Sequence, residues 1–156
     1  MHSHRRTVVR LALAVACAVL FGVRPADAAQ CTVSTTSVAF GTYNVFTTAP
    51  GDSTGTVVYR CNGGARNIRV EISKGASPVF FVRVMLKGSD FLVYNLYRDA
   101  SRTSIWGDGS SGTSYYFNAN PPNNQNVSVP IYGRIPAGQD VRSGSYSDSV
   151  VLAVNF

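Results

Sequence analysis

The chain has 156 residues, of which 45% are hydrophobic and only 14% charged, with a formal net charge of +6. That length suits one domain. Arg5, Arg6 and Arg10 precede an uncharged apolar run from Leu11 to Val23, and Ala26-Asp27-Ala28 follows. This order predicts a secretory signal peptide over residues 1–28, and the apolar run is too short for a bilayer span, which needs about 20 residues. No permanent membrane anchor is expected. The Arg5-Arg6 pair lacks the residues that follow a twin-arginine signal, and Cys17 lacks the leucine expected three residues before a lipidated cysteine, so an ordinary export leader is the reading.

Counted from Ala29, the chain holds 128 residues with ten Lys and Arg against seven Asp and Glu, a net charge of +3, and no histidine. Nucleic acid is therefore not an implied partner. Cys31 and Cys61 remain in a chain bound for an oxidising compartment, which predicts a disulfide closing a loop of about 31 residues.

Residues 29–156 alternate apolar and polar side chains with a period of two. Strands are predicted at Cys31 to Phe40, Thr56 to Cys61, Ile68 to Ile72, Val79 to Leu86, Phe91 to Tyr97, Val127 to Tyr132 and Ser145 to Phe156. Turn formers separate them: Ala49-Pro50-Gly51-Asp52, Asn62-Gly63-Gly64, Lys74-Gly75, Lys87-Gly88-Ser89-Asp90, Gly107-Asp108-Gly109, Asn120-Pro121-Pro122-Asn123-Asn124 and Pro136-Ala137-Gly138. About seven short strands without helical spacing predict an all-β immunoglobulin-like Greek-key sandwich in one domain.

Catalytic chemistry is hard to assemble from these residues. Without histidine there is no Ser-His-Asp or Cys-His site, a disulfide removes the thiols, and most aspartates fall in turns, where Asp hydrogen-bonds its own backbone. Neither an enzyme nor a metal or other cofactor is expected. Gly107-Asp108-Gly109-Ser110-Ser111-Gly112 fits G-x-G-x-x-G but lacks a strand-to-helix context, so it reads as a loop. Tyr97, Trp106, Tyr115 and Tyr116 are candidate aromatics for stacking a sugar, against the plainer reading of core and edge packing.

In the last strand, Tyr146, Val150, Leu152, Val154 and Phe156 share one face. A chain that ends in a strand pattern raises the question of what pairs with that strand's free edge. Either the sandwich is complete, or it is one strand short and another protein supplies the strand.

Cys31, Phe40-Gly41-Thr42-Tyr43, Cys61, Leu92 to Asp99, Trp106-Gly107-Asp108-Gly109, Val129 to Gln139 and Gly144-Ser145-Tyr146-Ser147-Asp148 together resemble the spore coat protein U domain, a family that includes subunits of archaic chaperone-usher pili. The resemblance runs in order along essentially all of residues 29–156. It implies an incomplete immunoglobulin-like fold, a periplasmic chaperone that lends a strand, an outer-membrane usher, and neighbouring subunits that later replace the chaperone at the cell surface, in a fimbria or spore coat. It makes Cys31 and Cys61 the family's disulfide and assigns Tyr146, Val150, Leu152, Val154 and Phe156 to the acceptor groove. One departure stands out: cleavage after Ala28 leaves Ala29 and Gln30 before Cys31, too few residues to donate a strand. The expectation is a terminal, tip-type subunit; a self-sufficient secreted binding module, for carbohydrate or as a surface adhesin, is the alternative.

Overall fold

The computed structural model describes residues 28–156; the expected signal peptide, Ala28 apart, lies outside the described residues. Among them are eight strands and no helix: β1 Gln30–Thr36, β2 Gly51–Asn62, β3 Ile68–Ile72, β4 Arg83–Lys87, β5 Asp90–Tyr97, β6 Tyr116–Asn118, β7 Asn126–Ile135 and β8 Leu152–Asn155. Every pairing is antiparallel. One sheet has five strands in the order β1-β2-β7-β5-β4, and the other has three in the order β6-β3-β8.

The period-two pattern explains the core. Ile68, Val70 and Ile72 of β3 are buried while Arg69 and Glu71 look outward and pair with each other. Val57, Tyr59 and Cys61 of β2, Leu92, Tyr94 and Leu96 of β5, and Val129, Ile131 and Ile135 of β7 meet them across the sandwich. Burying such residues contributes about 25 cal/mol per Å² of apolar surface. Cys31 and Cys61 lie directly opposite in the β1–β2 register and form the expected disulfide.

Three predicted strands are shorter than their hydrophobic patterns. The first ends at Thr36, because residues 37–45 leave the sheet and cross its inner face. The one foreseen at Val79 begins only at Arg83, since Asn95 Nδ2 donates to the carbonyls of Phe80 and Phe81 at 2.9 and 3.1 Å and folds that segment into a loop. The last is divided: Ser147 bridges Leu86 at the edge of the five-stranded sheet, whereas Leu152–Asn155 pairs with β3 in the other sheet. Conversely, β2 begins already at Gly51, β7 runs on through Gly133 to Ile135, and β6 arises inside the aromatic run.

A buried cation ties the two sheets together. Arg83 is fully buried, and its guanidinium donates to the Ser73 carbonyl at 2.8 Å, the Trp106 carbonyl at 2.6 Å and Asn95 Oδ1 at 2.7 Å. A buried charge must have its hydrogen-bonding capacity met, and here backbone oxygens meet it. Burial holds this guanidinium below its usual pKa.

Candidate functional site

The sandwich is sealed on one side and open on the other. On the sealed side Trp106 is fully buried and its indole N–H donates to the Val70 carbonyl at 3.0 Å. Nearby, the hydroxyls of Tyr59 and Tyr116 lie 3.2 Å apart, and Asn118 Nδ2 donates to Tyr59 at 3.0 Å. Burial, with the Tyr116 hydroxyl beside it, pushes the Tyr59 phenol up to about 12.

On the open side a cleft of about 1170 Å³ reaches the core. Its floor is apolar: Ile72, Met85, Leu92, Leu96, Ile131 and Ile135. One wall is the strap 35–45, and the other is the segment 141–152. Beyond Thr36, where β1 ends, the strap makes no ladder of its own. It stays in place because Val38 and Phe40 press onto Gly133, where a Cβ would collide with both, and because Ser53 Oγ donates to the Ala39 carbonyl at 2.6 Å. Further along, Tyr43 donates to the Pro136 carbonyl at 3.0 Å and accepts from the Gln139 amide at 2.9 Å.

The opposite wall is held by polar contacts. Leu86 and Ser147 exchange backbone hydrogen bonds of 2.8 and 3.1 Å, and Lys87 Nζ donates to the Ser143 carbonyl at 2.6 Å. Asp148 is its centre: Oδ1 accepts from the amides of Ala76 and Ser149 at 2.9 and 2.8 Å, and Oδ2 accepts the Tyr94 hydroxyl proton at 2.7 Å. Gly75 packs so closely on this carboxylate that no side chain fits there. Burial and the Asp148 carboxylate raise the Tyr94 pKa far above the usual phenol value.

Of the five groove residues read from the sequence, Tyr146, Val150 and Leu152 line the cleft. Val154 packs against the core without lining the cleft, and Phe156 is 55% exposed beyond β8. The floor and the 35–45 wall went unread, although the alternation of Val38 and Phe40 carried the signal. The sugar-stacking set is corrected by its surroundings. Trp106 is inaccessible, the Tyr115 ring is covered by Arg69 at 3.8 Å, and Tyr116 is engaged with Tyr59 and with Arg98 at 5.5 Å. Tyr97 is half-buried in register with Tyr132. These rings form no common platform.

An immunoglobulin-like antiparallel sandwich whose core lies open between its first and last strands has the architecture of a chaperone-usher pilin. The chain belongs to the Spore Coat Protein U domain family, whose model matches residues 17–153. It is similar to Protein U of Myxococcus xanthus, with 38% identity over 68 residues, 44% of this chain and 36% of that one. Its fold is similar to that of a chain in the crystal structure of the CsuC-CsuE chaperone-tip adhesion subunit pre-assembly complex from archaic chaperone-usher Csu pili of Acinetobacter baumannii. There the TM-score is 0.57 at 22% identity, covering 83% of this chain and 40% of that one. Both matches take in less than half the length of the other protein.

Proposed function

We propose that this chain is a secreted structural subunit of a surface fimbria or spore coat, assembled by strand complementation. The cleft takes an extended strand, first from a periplasmic chaperone during transit to an outer-membrane usher, and then from a neighbouring subunit. The observation that carries the reading is the apolar floor left open between the 35–45 strap and the 141–152 wall. An inserted strand would bury apolar side chains on that floor and offer its backbone to the free edge of β8. Family membership and the pilin-like fold support it.

No catalytic role is part of this reading, since most of the carboxylates have structural partners. Asp52 pairs with Arg134 and Arg102, Glu71 with Arg69, and Asp90 with Lys87 and Arg142. Asp99 and Asp108 accept from their own turns.

The test is to express the full chain in a periplasm with and without a chaperone of the chaperone-usher class. Low soluble yield alone, with recovery as a one-to-one complex, is expected. A soluble, monodisperse, cooperatively unfolding monomer in both cases overturns the reading. Within this proposal the chain occupies a fibre end, because cleavage after Ala28 would leave Ala29 and Gln30 ahead of Cys31. N-terminal sequencing of the exported protein tests that position, and a start well upstream of Ala28 would refute it.

A further inference from the structure

Tyr94 touches both walls of the cleft. It rises from β5 in the floor and is 5% exposed. Its ring meets Phe40 of the strap edge-on, with centroids 5.9 Å apart and planes at 71°. Its hydroxyl donates to Asp148 Oδ2 of the opposite wall at 2.7 Å. Asp148 in turn holds the Ala76 and Ser149 amides, so one carboxylate links the β3–β4 loop to the 141–152 wall, beside the bonds between Ser73 and Val151.

Neither wall is otherwise secured by a sheet ladder at this level. Beyond Thr36 the strap has none, and up to Val150 the opposite wall has the single bridge between Leu86 and Ser147, its ladder to β3 beginning only at Leu152. An apolar cleft without an occupant would gain by collapsing, because its floor faces water. A rigid aromatic packed on one wall and hydrogen-bonded to the other opposes that collapse.

We propose that Tyr94 is a positioning residue that braces the empty groove, keeping its walls at strand-accepting separation until a strand arrives. The inference rests on the strand-accepting reading for its purpose, but the brace itself is a property of the free subunit. The phenol is better suited to this than phenylalanine or leucine would be. Phenylalanine keeps the contact with Phe40 but leaves a half-buried carboxylate oxygen without its donor, and leucine loses both contacts. Hydrogen bonds to charged groups are among the stronger ones in proteins, so the hydroxyl should matter measurably.

The experiment compares the full exported chain with its Tyr94→Phe and Tyr94→Leu variants by amide hydrogen exchange. Capture of a synthetic decapeptide of alternating Val or Ile with Thr or Lys is followed in parallel. Tyr94→Phe should speed exchange in 143–150 and at Ala76 by about tenfold while leaving the strap unchanged, and Tyr94→Leu should speed both walls. Peptide association should slow by a similar factor in Tyr94→Phe, with dissociation nearly constant.

A uniform rise in exchange across β2, β3 and β7, or no change in either wall, overturns the brace. So does peptide association in Tyr94→Phe as fast as in the unaltered chain. If the unaltered chain captures no peptide, the strand-accepting reading fails, and the localised exchange pattern still decides whether Tyr94 holds the walls. A Phe40→Leu variant, which keeps the hydroxyl bond, should loosen the strap alone; loosening of 143–150 instead would also contradict the proposal.

Discussion

The sealed and open sides of this sandwich are built from the same kinds of strand, yet only one is finished. On the sealed side Val57, Tyr59, Ile68, Val70 and Trp106 are all 0% exposed, and every polar atom of the Trp106 indole and Tyr59 phenol has a partner. On the open side Tyr146, Val150 and Leu152 pack against the core but remain partly exposed. The difference lies in coverage rather than composition. Alternating side chains commit a strand to burying one face, and whether that face is covered depends on how many strands the two sheets bring to it.

The strongest way to break the sealed side is to remove Arg83. Arg83→Ala would strand the Ser73 and Trp106 carbonyls without donors and leave Asn95 Oδ1 with the Leu96 amide alone, and a loss of about 3 kcal/mol or more is expected, read as a lower urea midpoint. Arg83→Met, which fills the space but satisfies nothing polar, should recover only part of it.

Replacing Cys31 and Cys61 together by Ala should cost about 3 kcal/mol under the chain-entropy model, for a bridge of sequence separation 30. Because β1 is largely exposed and otherwise held only by its ladder to β2, the loss should show first as rapid amide exchange in residues 30–36.

A smaller effect sharpens the contrast. Leu152→Ala should cost about 1 kcal/mol in the empty subunit, because the side chain is only half-buried, and roughly twice that in a strand-filled one. Chemical denaturation with and without bound peptide gives both values. An equal cost in the two states would mean that the cleft is not where the strand binds.

Acid should act weakly on both sides. Asp99 is held well below the usual carboxylate range, first by the Ser101 hydroxyl and then by the Thr103 and Ser104 amides; Asp52 is lowered chiefly by Arg134, and Asp108 by Ser110. Groups with depressed folded pKa values stabilise the fold above the ordinary carboxylate pKa of about 4, and that contribution is lost as pH falls below it. These are surface sites, so the expected change is modest. Between about pH 5 and 8 the thermal midpoint should stay flat, because residues 28–156 contain no histidine to titrate.

Much of this was legible in the residues. Ile68, Val70 and Ile72 announced a half-buried strand, and Cys31 and Cys61 announced their bridge. The shared face of Tyr146, Val150 and Leu152 was legible too, and these three line the cleft. Other features were hidden for physical reasons. The run Val79 to Leu86 reads as a strand, but Asn95, on a different strand, binds the Phe80 and Phe81 carbonyls and draws its first half into a loop. Trp106 and its neighbours left a sugar platform open beside core and edge packing, because sequence reports ring identity and not what lies over the ring.

By itself the sequence determined the all-β class, the disulfide pair, the lack of histidine in residues 29–156 and the facing of most strands. These depend on side-chain period, local turn chemistry and composition. Only the tertiary structure decided that the last strand changes sheets after Ser147, that residues 37–45 leave theirs, and that a cleft braced by Tyr94 opens between them. The reason is that alternation specifies which side chains seek burial, while closure depends on partners brought together across 54 residues, as Tyr94 and Asp148 are.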